Sequence, residues 1–380
     1  MGKKKESIDV ENVLEENPQA KPQEKKDFHW HTTFGNVAIS ERTFIINGKL
    51  VRPFSNNANV DCRSYSVLLQ RRITDFGSDC SFGKAVKKMN EHYGLILPES
   101  SIRAITQAHG ENLIAISMNP EQAEPQKSVE QIIVQTDGCM LPRVEFDPEK
   151  NEGDLRKARL LNWKEVRLSL AYEPGMVEPV FEATSGNPEK VGTQLMTCAQ
   201  NIGYGEQTNV HGVGDGATWI ASQVDQVFGA NGSYLIDFYH LCEYLSDASK
   251  VYDKPATWYK EKKEMIKTGK IAIVLKDLLP YIEPPSVKDT DAPVRRCHRY
   301  IANRRGQFHY AEAIENNLPI GSGKIESANS YVIQHRMKIP GAWWKLENMD
   351  KMLALLTCRK NGKWGNYWEG ISTNSAARVA

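Results

Sequence analysis

The stretch Asn209–His240 reads NVHGVGDGATWIASQVDQVFGANGSYLIDFYH, and it indicates the fold class more clearly than any other part of the chain. A short apolar strand ends at Gly214, a helical pattern covers Thr218–Phe228, and a second apolar strand covers Ser233–Phe238. A further helix begins near His240. Strands that alternate with helices over so short a distance predict an α/β domain.

The alternation continues toward the N-terminus. The apolar and alternating patterns there predict three strands followed by one helix, namely strands at Gln131–Thr136, Trp163–Tyr172 and Pro179–Ala183 and a helix at Pro188–Ile202. Three strands, then helix, strand, helix, strand and helices is the order of a ribonuclease-H-like domain with a mixed sheet.

Residues 250–318 break this alternation, because they are rich in Lys, Arg, Tyr and helix formers. We therefore expect an all-helical insertion there. The insertion would divide the ribonuclease-H-like core into a first part at 129–249 and a second part at 319–380.

The region before the core has a different character. Residues 1–27 mix lysines with acids and predict a disordered tail. Residues 28–116 begin with two predicted strands in which apolar and polar residues alternate. Asn47-Gly48 lies between the strands and is typical of a type I′ hairpin turn. They continue with helical periodicity, and a Pro-rich polar linker follows at 117–128.

Two short helices are predicted within 28–116. The first is capped by Ser81 and ends at Gly94, and the second starts near Ser100 and has Gly110 as its expected end. The second helix would present a polar face outward, consisting of Ser101, Arg103, Thr106 and Gln107. A helix-turn-helix that enters a major groove and a plain helical hairpin with a solvated face explain this pattern about equally well.

Composition narrows the classes of protein. The 380-residue chain has 40% hydrophobic and 25% charged residues, which is ordinary globular composition and predicts two or three domains. It has no apolar run long enough to cross a membrane and no apolar core of a signal peptide, so we expect a cytoplasmic protein. The net charge of +1 means that any nucleic-acid binding would depend on local basic patches.

The cysteines favour a reduced compartment. There are seven, widely spread, with no C-x-x-C pair, so a disulfide framework is not expected. A zinc site made of His29, His31, Cys62 and Cys80 is an unfavoured alternative, because the spacings are irregular.

Two aspartates follow predicted strands of the core. Asp137 comes after the strand at 131–136 and Asp215 after the strand at 209–214, each beside glycine. A single Asp-Gly pair usually forms a turn, but two of them at strand ends are placed to face one crevice. Carboxylates are the ligands that Mg²⁺ prefers, so the pair is a candidate metal site.

A third acid, Glu326, lies in the stretch PIGSGKIESANSYVIQHRMK. The glycines in GSGK do not form a nucleotide-binding loop, because Leu318 and Ile325 stand where that motif needs Gly and Ser or Thr. Ser322 is instead expected to cap a helix. Gln334, Arg336 and Lys338 would follow on that helix, spaced to track a phosphate backbone.

Four motifs together resemble bacterial insertion-sequence transposases of the DDE class. They are TDG at 136–138, GVGDGATWI at 212–220, DFYHLCEYL at 237–245, and PIGSGKIESANSYVIQHRMKIPGAWW at 319–344. They are most similar to the Kra-type family, a relative of the Mutator-like group. The likeness covers roughly residues 130–360.

The resemblance implies a function for the three acids. Asp137, Asp215 and Glu326 would be catalytic and would bind two Mg²⁺ or Mn²⁺ ions. His240, in the Asp237-Phe238-Tyr239-His240 motif, would have a supporting role, unless it is simply a buried histidine, while Asp237 would be structural. The partners would be double-stranded DNA at the element's ends and at the target, and the enzyme would be a nucleoid-associated homo-oligomer.

Basic and aromatic residues supply candidate DNA contacts. The second helix of the N-terminal pair offers Arg103 and Gln107, and the Glu326 helix offers Arg336 and Lys338. A third candidate is an arginine cluster in the insertion, consisting of Arg295, Arg296, Arg299, Arg304 and Arg305. Interleaved Tyr300 and Phe308 would stack on unpaired bases, although a solvated helix face with internal ion pairs is the simpler alternative. Trp343 and Trp344 are expected to pack in the core.

These features predict a transposase that cuts a phosphodiester and joins the new 3′-hydroxyl to target DNA. Two alternatives stay open. One is a nuclease of the same fold that cuts without joining, and the other is a catalytically silent, transposase-derived DNA-binding protein.

Overall fold

The computed structural model describes residues 10–57, 64–118, 127–147 and 157–377. The chain forms two compact units. The first contains Met1–Pro120, Val144–Arg159 and His335–Ala380, and the second contains Glu121–Arg143 and Leu160–Gln334. Among the helices of the described residues, none is both long enough and apolar enough to cross a membrane.

A three-stranded antiparallel sheet opens the first unit. It consists of β1 (Lys21–Thr32), β2 (Gly35–Ile46) and β3 (Lys49–Val51), in that order. The predicted hairpin at Asn47-Gly48 is confirmed, and both residues have the positive φ (49° and 75°) of a type I′ turn.

The predicted disordered tail differs from the structure, since residues 10–16 are helical and β1 begins at Lys21. The first seven residues of β1 are exposed, and only Phe28 and Trp30 further along place apolar rings against Phe54, so the sequence shows no buried pattern over most of the strand. Backbone pairing with β2, from Lys21 opposite Ile45 to Thr32 opposite Gly35, holds the strand.

Helices complete the first unit. They are α1 (Pro53–Asn57), α2 (Val67–Asp79), α3 (Phe82–Tyr93) and α4 (Glu99–Met118). The predicted caps of α3 are confirmed, because Ser81 accepts a hydrogen bond from Lys84 N and Gly94 is left-handed.

The predicted end of α4 at Gly110 is wrong. The helix continues to Met118, and Gly110 instead permits close packing, because a Cβ there would lie only 2.3 Å from the carbonyl oxygen of Lys351. The expected outward polar face is also only partly correct. Arg103 is exposed and Gln107 is half-buried, but Ser101 and Thr106 are buried.

A five-stranded mixed sheet forms the second unit. Its strands are β4 (Gln131–Phe146), β5 (Arg159–Tyr172), β6 (Val180–Thr184), β7 (Asn209–Gly214) and β8 (Gly232–Ile236). Their order is β6-β5-β4-β7-β8, with β4, β7 and β8 parallel and β6 antiparallel to β5. Helices α5 (Pro188–Ile202) and α6 (Thr218–Phe228) connect strands as predicted, so the α/β class is confirmed.

The first predicted strand of the core is longer than expected. The sequence pattern ends at Thr136, but β4 runs to Phe146. Its parallel pairing with β7 nevertheless stops at Gln135, opposite Val213. Asp137 therefore lies just beyond the parallel pairing, although it is not the last residue of its strand.

The predicted helical character of residues 250–318 is confirmed, since the structure describes all of them and none is in a strand. After α7 (Phe238–Ser249) come α8 (Pro255–Lys267), α9 (Ile271–Leu278), α10 (Pro293–Ala302) and α11 (Tyr310–Glu315), with short 3₁₀ helices at Leu279–Tyr281 and Asp289–Asp291. Their apolar side chains form one core with α7 and β8, and Trp258, Val274 and Ile301 are among them.

The Glu326 segment is helical, as predicted. It consists of α12 (Gly323–Ala328), a π-helical turn (Asn329–Gln334) and α13 (His335–Met337). The first unit then closes with α14 (Leu346–Lys360) and α15 (Trp364–Ala377).

His109 is a buried titratable group in the first unit. It lies on α4, where one ring nitrogen contacts Tyr367 Oη of α15 at 2.7 Å and the other contacts Gln70 Oε1 of α2 at 2.9 Å. Burial lowers the pKa of His109 to about 4. Because the unfolded chain would bind this proton more readily, folding loses stability as the pH falls from 6.5 toward 4.

We expect His109→Gln to flatten this pH dependence, because glutamine can hydrogen-bond but does not titrate. The free energy of unfolding of the wild type should fall by about 3 kcal/mol more than that of the variant over this range. Denaturant titrations at several pH values measure the difference. His92→Gln, at an exposed histidine on α3, is the control, and equal slopes for wild type and His109→Gln would contradict the prediction.

Candidate active site

Asp137 is the half-buried member of the three predicted acids. Its Oδ1 accepts a hydrogen bond from Gly138 N at 2.7 Å, and its Oδ2 accepts one from Asn329 Nδ2 at 2.8 Å. Burial raises the pKa of Asp137, and the negative charges of Asp215 and Glu326 raise it further, against the lowering effect of the two hydrogen bonds. Asp215 and Glu326 are therefore both near enough for their charges to act on Asp137.

Asp215 lies in an exposed turn directly after β7. Its Oδ1 accepts a hydrogen bond from Ala217 N at 2.8 Å. The next residue, Gly216, has φ +85°, and a Cβ there would lie 2.5 Å from Tyr300 Oη. Only glycine fits this turn without strain, which explains the glycine that follows the aspartate.

The insertion holds the Asp215 turn from one side. Tyr300 of α10 donates its hydroxyl hydrogen to the carbonyl of Asp215 at 2.7 Å. Arg304 donates its Nε–H to the carbonyl of Gly216 at 2.7 Å, and its guanidinium lies 4.2 Å from the Tyr300 ring centre. The insertion therefore supports the turn that carries Asp215.

Glu326 lies in the first turn of α12 and is exposed, with Oε1 3.4 Å from Ser322 Oγ. The segment before it is fixed to the sheet by backbone contacts. His211 of β7 places Nε2 2.9 Å from Pro319 O, and Phe238 N donates to Ile320 O at 2.8 Å. These contacts fix the start of the Glu326 segment to the middle of β7 and to the residue that begins α7, just after β8.

Gln135 of β4 makes the corresponding contacts from the third parallel strand. It is 2% exposed, its Nε2 donates to Gly321 O at 3.2 Å, and its Oε1 accepts from Ile325 N at 3.1 Å. The Gln135 amide thus pairs with an acceptor before the start of α12, Gly321 O, and with a donor in its first turn, Ile325 N. The sequence analysis missed this residue, and the available signal was a glutamine inside the buried run IIVQT.

Asp237 has the structural role that was expected. Its Oδ1 accepts from Tyr239 N and His240 N at the start of α7, and its Oδ2 accepts from the backbone N–H and the hydroxyl of Ser322. Ser322 occupies the N-cap position of α12, but its hydroxyl binds Asp237 and makes no cap bond. The expected capping by the Ser322 side chain is therefore wrong.

His240 is half-exposed in the first turn of α7. Its Nδ1 lies 3.7 Å from Glu243 Oε2, and its ring contacts the edges of Tyr244 and Tyr300. It is thus not buried inside the fold, and its supporting role stays a prediction.

The arginine cluster does not form one surface. Arg295 donates to the backbone carbonyls of residues 283, 284 and 287, and Arg299 binds both carboxylate oxygens of Asp289. Arg296 lies 3.6 Å from Asp247 Oδ2. These arginines hold the insertion together, so the simpler alternative describes them better than phosphate contact. Arg304 supports the Asp215 turn, and Arg305 is exposed.

The predicted base-stacking residues are also unsuitable. Tyr300 and Phe308 are buried, so neither presents a ring face to an unpaired base. Trp344 packs as predicted and donates Nε1–H to Met337 O at 2.8 Å, whereas Trp343 is exposed.

Arg336 is corrected as a DNA contact. It is 2% exposed, it donates from Nε and Nη2 to Gly77 O at 3.0 and 2.9 Å, and it stacks on Phe82 and Trp344. Burial lowers its pKa to about 10. Its charge holds helices of the first unit together. Lys338 is exposed and, like Arg103 and Gln107, stays a predicted contact.

The donor chemistry of the acids fits a hard divalent ion. Asp137, Asp215 and Glu326 supply only carboxylate oxygens, and a cation would relieve their mutual repulsion. In the part of the chain that is described, no three His, Cys, Asp or Glu side chains are grouped so as to hold a metal ion. The charges of Asp215 and Glu326 thus act on Asp137 without the three acids forming a closed chelate, and the side chains of Asp215 and Glu326 are exposed.

The zinc alternative gains no support. Cys62 lies outside the described residues, His31 Nδ1 is 2.6 Å from Asn36 Oδ1, and Cys80 Sγ donates to Phe76 O. The described cysteines, Cys80, Cys139, Cys198, Cys242, Cys297 and Cys358, form no disulfide with one another.

Comparison with known proteins assigns no family. No protein-family model matches the chain, and no curated protein matches it with significant similarity. The likeness to insertion-sequence transposases therefore rests on the four sequence motifs.

We expect Gln135→Leu to loosen the Glu326 segment, because it leaves Gly321 O without a partner and removes one of the two acceptors of Ile325 N, which also donates to Ser322 O. One unsatisfied buried group costs about 1–3 kcal/mol, so the free energy of unfolding should fall by about that amount. Hydrogen exchange should also become faster at Ile325 N–H. Gln131→Leu is the control, because its side chain contacts only the neighbouring carbonyl of Ile132. Unchanged exchange at Ile325 would count against the role of Gln135.

Proposed function

We propose that the protein is a DNA transposase of the DDE class with Asp137, Asp215 and Glu326 as its catalytic acids. The observation that carries the proposal is the attachment of the segment leading into Glu326 to Gln135 of β4, to His211 of β7 and to Phe238, which follows β8. It brings Glu326, from beyond the insertion, near enough to Asp137 of β4 for its charge to raise the pKa of Asp137, as does the charge of Asp215 after β7. A structural helix would not require this convergence of like charges.

The sheet order supports the proposal. Counted along the chain, the strands of the second unit are arranged third, second, first, fourth, fifth, with the first, fourth and fifth parallel. This arrangement is compatible with a ribonuclease-H-like fold, in which the first acid belongs to the first strand and the second follows the fourth. Asp137 and Asp215 have these positions, and the helical insertion precedes Glu326.

The chemistry follows from the acids. When bound, two Mg²⁺ or Mn²⁺ ions would polarise the attacking and leaving oxygens of an in-line displacement at phosphorus. Water first breaks the phosphodiester and leaves a 3′-hydroxyl on the element end. That hydroxyl then attacks a target phosphorus, and the target's own 3′-oxygen leaves. The exposed carboxylates of Asp215 and Glu326 and the fixed carboxylate of Asp137 would hold the ions.

The remaining contacts belong to the same proposal. Arg103, Gln107 and Lys338 of the first unit and Arg304 and Arg305 of the insertion would contact DNA. We further propose that several copies of the chain act together on two DNA ends in the cytoplasm, at the nucleoid.

The test uses the DNA that flanks the coding sequence of this chain, since a transposase gene lies inside its element. With Mg²⁺ or Mn²⁺, the purified protein should cut this DNA and join it to an unrelated plasmid. Asp137→Asn, Asp215→Asn and Glu326→Gln should each lower joining by more than about 100-fold while DNA binding in chelator is retained.

Asp225→Asn, at an exposed acid on α6, is the matched control and should leave joining unchanged. Each alternative has its own outcome. Metal-dependent cutting of intact DNA, together with no joining of a pre-cleaved end to a second duplex, would identify a nuclease. DNA binding without any metal-dependent reaction would identify a silent binding protein. Near-wild-type joining by any of the three acid variants would refute the assignment of that acid.

A further inference from the structure

Asn329 is a buried amide that contacts one of the proposed catalytic acids. It begins the π-helical turn after α12 and is 3% exposed. Its Nδ2 donates to Asp137 Oδ2 at 2.8 Å. Its Oδ1 is buried and has no hydrogen-bond partner among the described residues. The acceptor of this amide is therefore unused.

An unpaired buried carbonyl is unfavourable for stability. Leaving such a group without a partner costs about 1–3 kcal/mol, and an apolar side chain of the same size would avoid that cost. Packing alone thus does not explain an asparagine at this place. The contact with Asp137 is the feature that an apolar residue would lack.

The position of Asn329 on its helix links two of the acids. It follows Glu326 by three residues, so both side chains lie on one face of the helical segment. π-helical turns in proteins are frequent at functional sites. One segment therefore carries the third acid and also the donor that orients the first.

The hydrogen bonds of Asp137 leave its oxygens usable as ligands. A carboxylate has about four lone-pair sites on its two oxygens. Gly138 N and Asn329 Nδ2 each occupy one site, on different oxygens. The two bonds fix the rotation of the carboxylate about its Cβ–Cγ bond, and each oxygen keeps one lone pair for a cation.

We propose that Asn329 is a positioning residue that holds the Asp137 carboxylate in the orientation needed to bind a divalent cation. The inference rests on the proposed function, because it assumes that Asp137 is a metal ligand. Partners of metal-binding carboxylates typically change metal affinity by about 10–100-fold when they are removed.

Binding of Mn²⁺ alone to the full-length protein tests the inference, with free Mn²⁺ measured by electron paramagnetic resonance. Asn329→Leu keeps the size of the side chain and removes its donor, so it should weaken Mn²⁺ binding by about 10–100-fold. Its thermal midpoint should stay near that of the wild type, because the unpaired Oδ1 is also removed. If Asn329→Leu does not fold, Asn329→Ala replaces it, because the smaller alanine side chain cannot clash with its neighbours. The same weakening of Mn²⁺ binding is expected.

Gln223→Leu is the matched control, because Gln223 is another buried amide of the second unit, on α6, and donates to Gln226. It should keep wild-type Mn²⁺ binding. Wild-type Mn²⁺ affinity in the Asn329 variants would overturn the inference, and so would a loss no larger than that of Gln223→Leu at equal thermal stability.

Asp137→Asn separates this inference from the proposed function. If the wild type and Asp137→Asn bind Mn²⁺ equally, the metal site itself is refuted. If Asp137→Asn abolishes binding and the Asn329 variants do not weaken it, only the role of Asn329 is refuted.

Discussion

The attachment of residues 319–325 to β4, to β7 and to the residues that follow β8 is the constraint on which the candidate site depends. Gln135 of β4, His211 of β7 and Asp237, directly after β8, each contact this segment. Gln135 and His211 contact its backbone, and Asp237 accepts from both the backbone N–H and the hydroxyl of Ser322. The entropic cost of bringing together the two ends of a long segment, here the insertion, grows slowly with its length. A few buried hydrogen bonds are therefore enough to hold the chain that follows the insertion.

The second unit uses carboxylates in two opposite ways. Asp237 is buried, but both of its oxygens accept hydrogen bonds from two donors each, which compensates its charge. Asp137 has one donor on each oxygen and experiences the charges of Asp215 and Glu326. The repulsion is tolerated because Asp215 and Glu326 are exposed to water. The charge of Asp237 is thus compensated by four hydrogen bonds, whereas Asp137 has two and also interacts with two like charges.

The sequence predicts the parts of the fold that local patterns determine. Residues 188–202 and 218–228 form the expected helices because apolar periodicity and flanking glycines mark them directly. Partners distant in sequence were not predictable. The helical pattern around Arg336 suggests an exposed basic residue. Its burial results from contacts with Gly77 O, Phe82 and Trp344, none of which the local pattern reveals. The positions of Asp137 and Asp215 could be predicted from the strand patterns that precede them in the sequence. The position of Glu326 depends on contacts of its segment with Gln135 and His211, which lie far from it in sequence.

The internal use of the arginines changes the role of the insertion. An independent DNA-binding surface would present guanidinium groups outward, yet Arg295 and Arg299 contact carbonyls and a carboxylate of the insertion itself, and Arg296 lies beside Asp247 of α7. Arg304 and Tyr300 reach the turn of Asp215, and the chain leaving the insertion leads to Glu326. The insertion therefore contacts the turn that carries Asp215, and its chain continues into the segment that carries Glu326. A loss of its core packing should disturb the acids even where no DNA contact is removed.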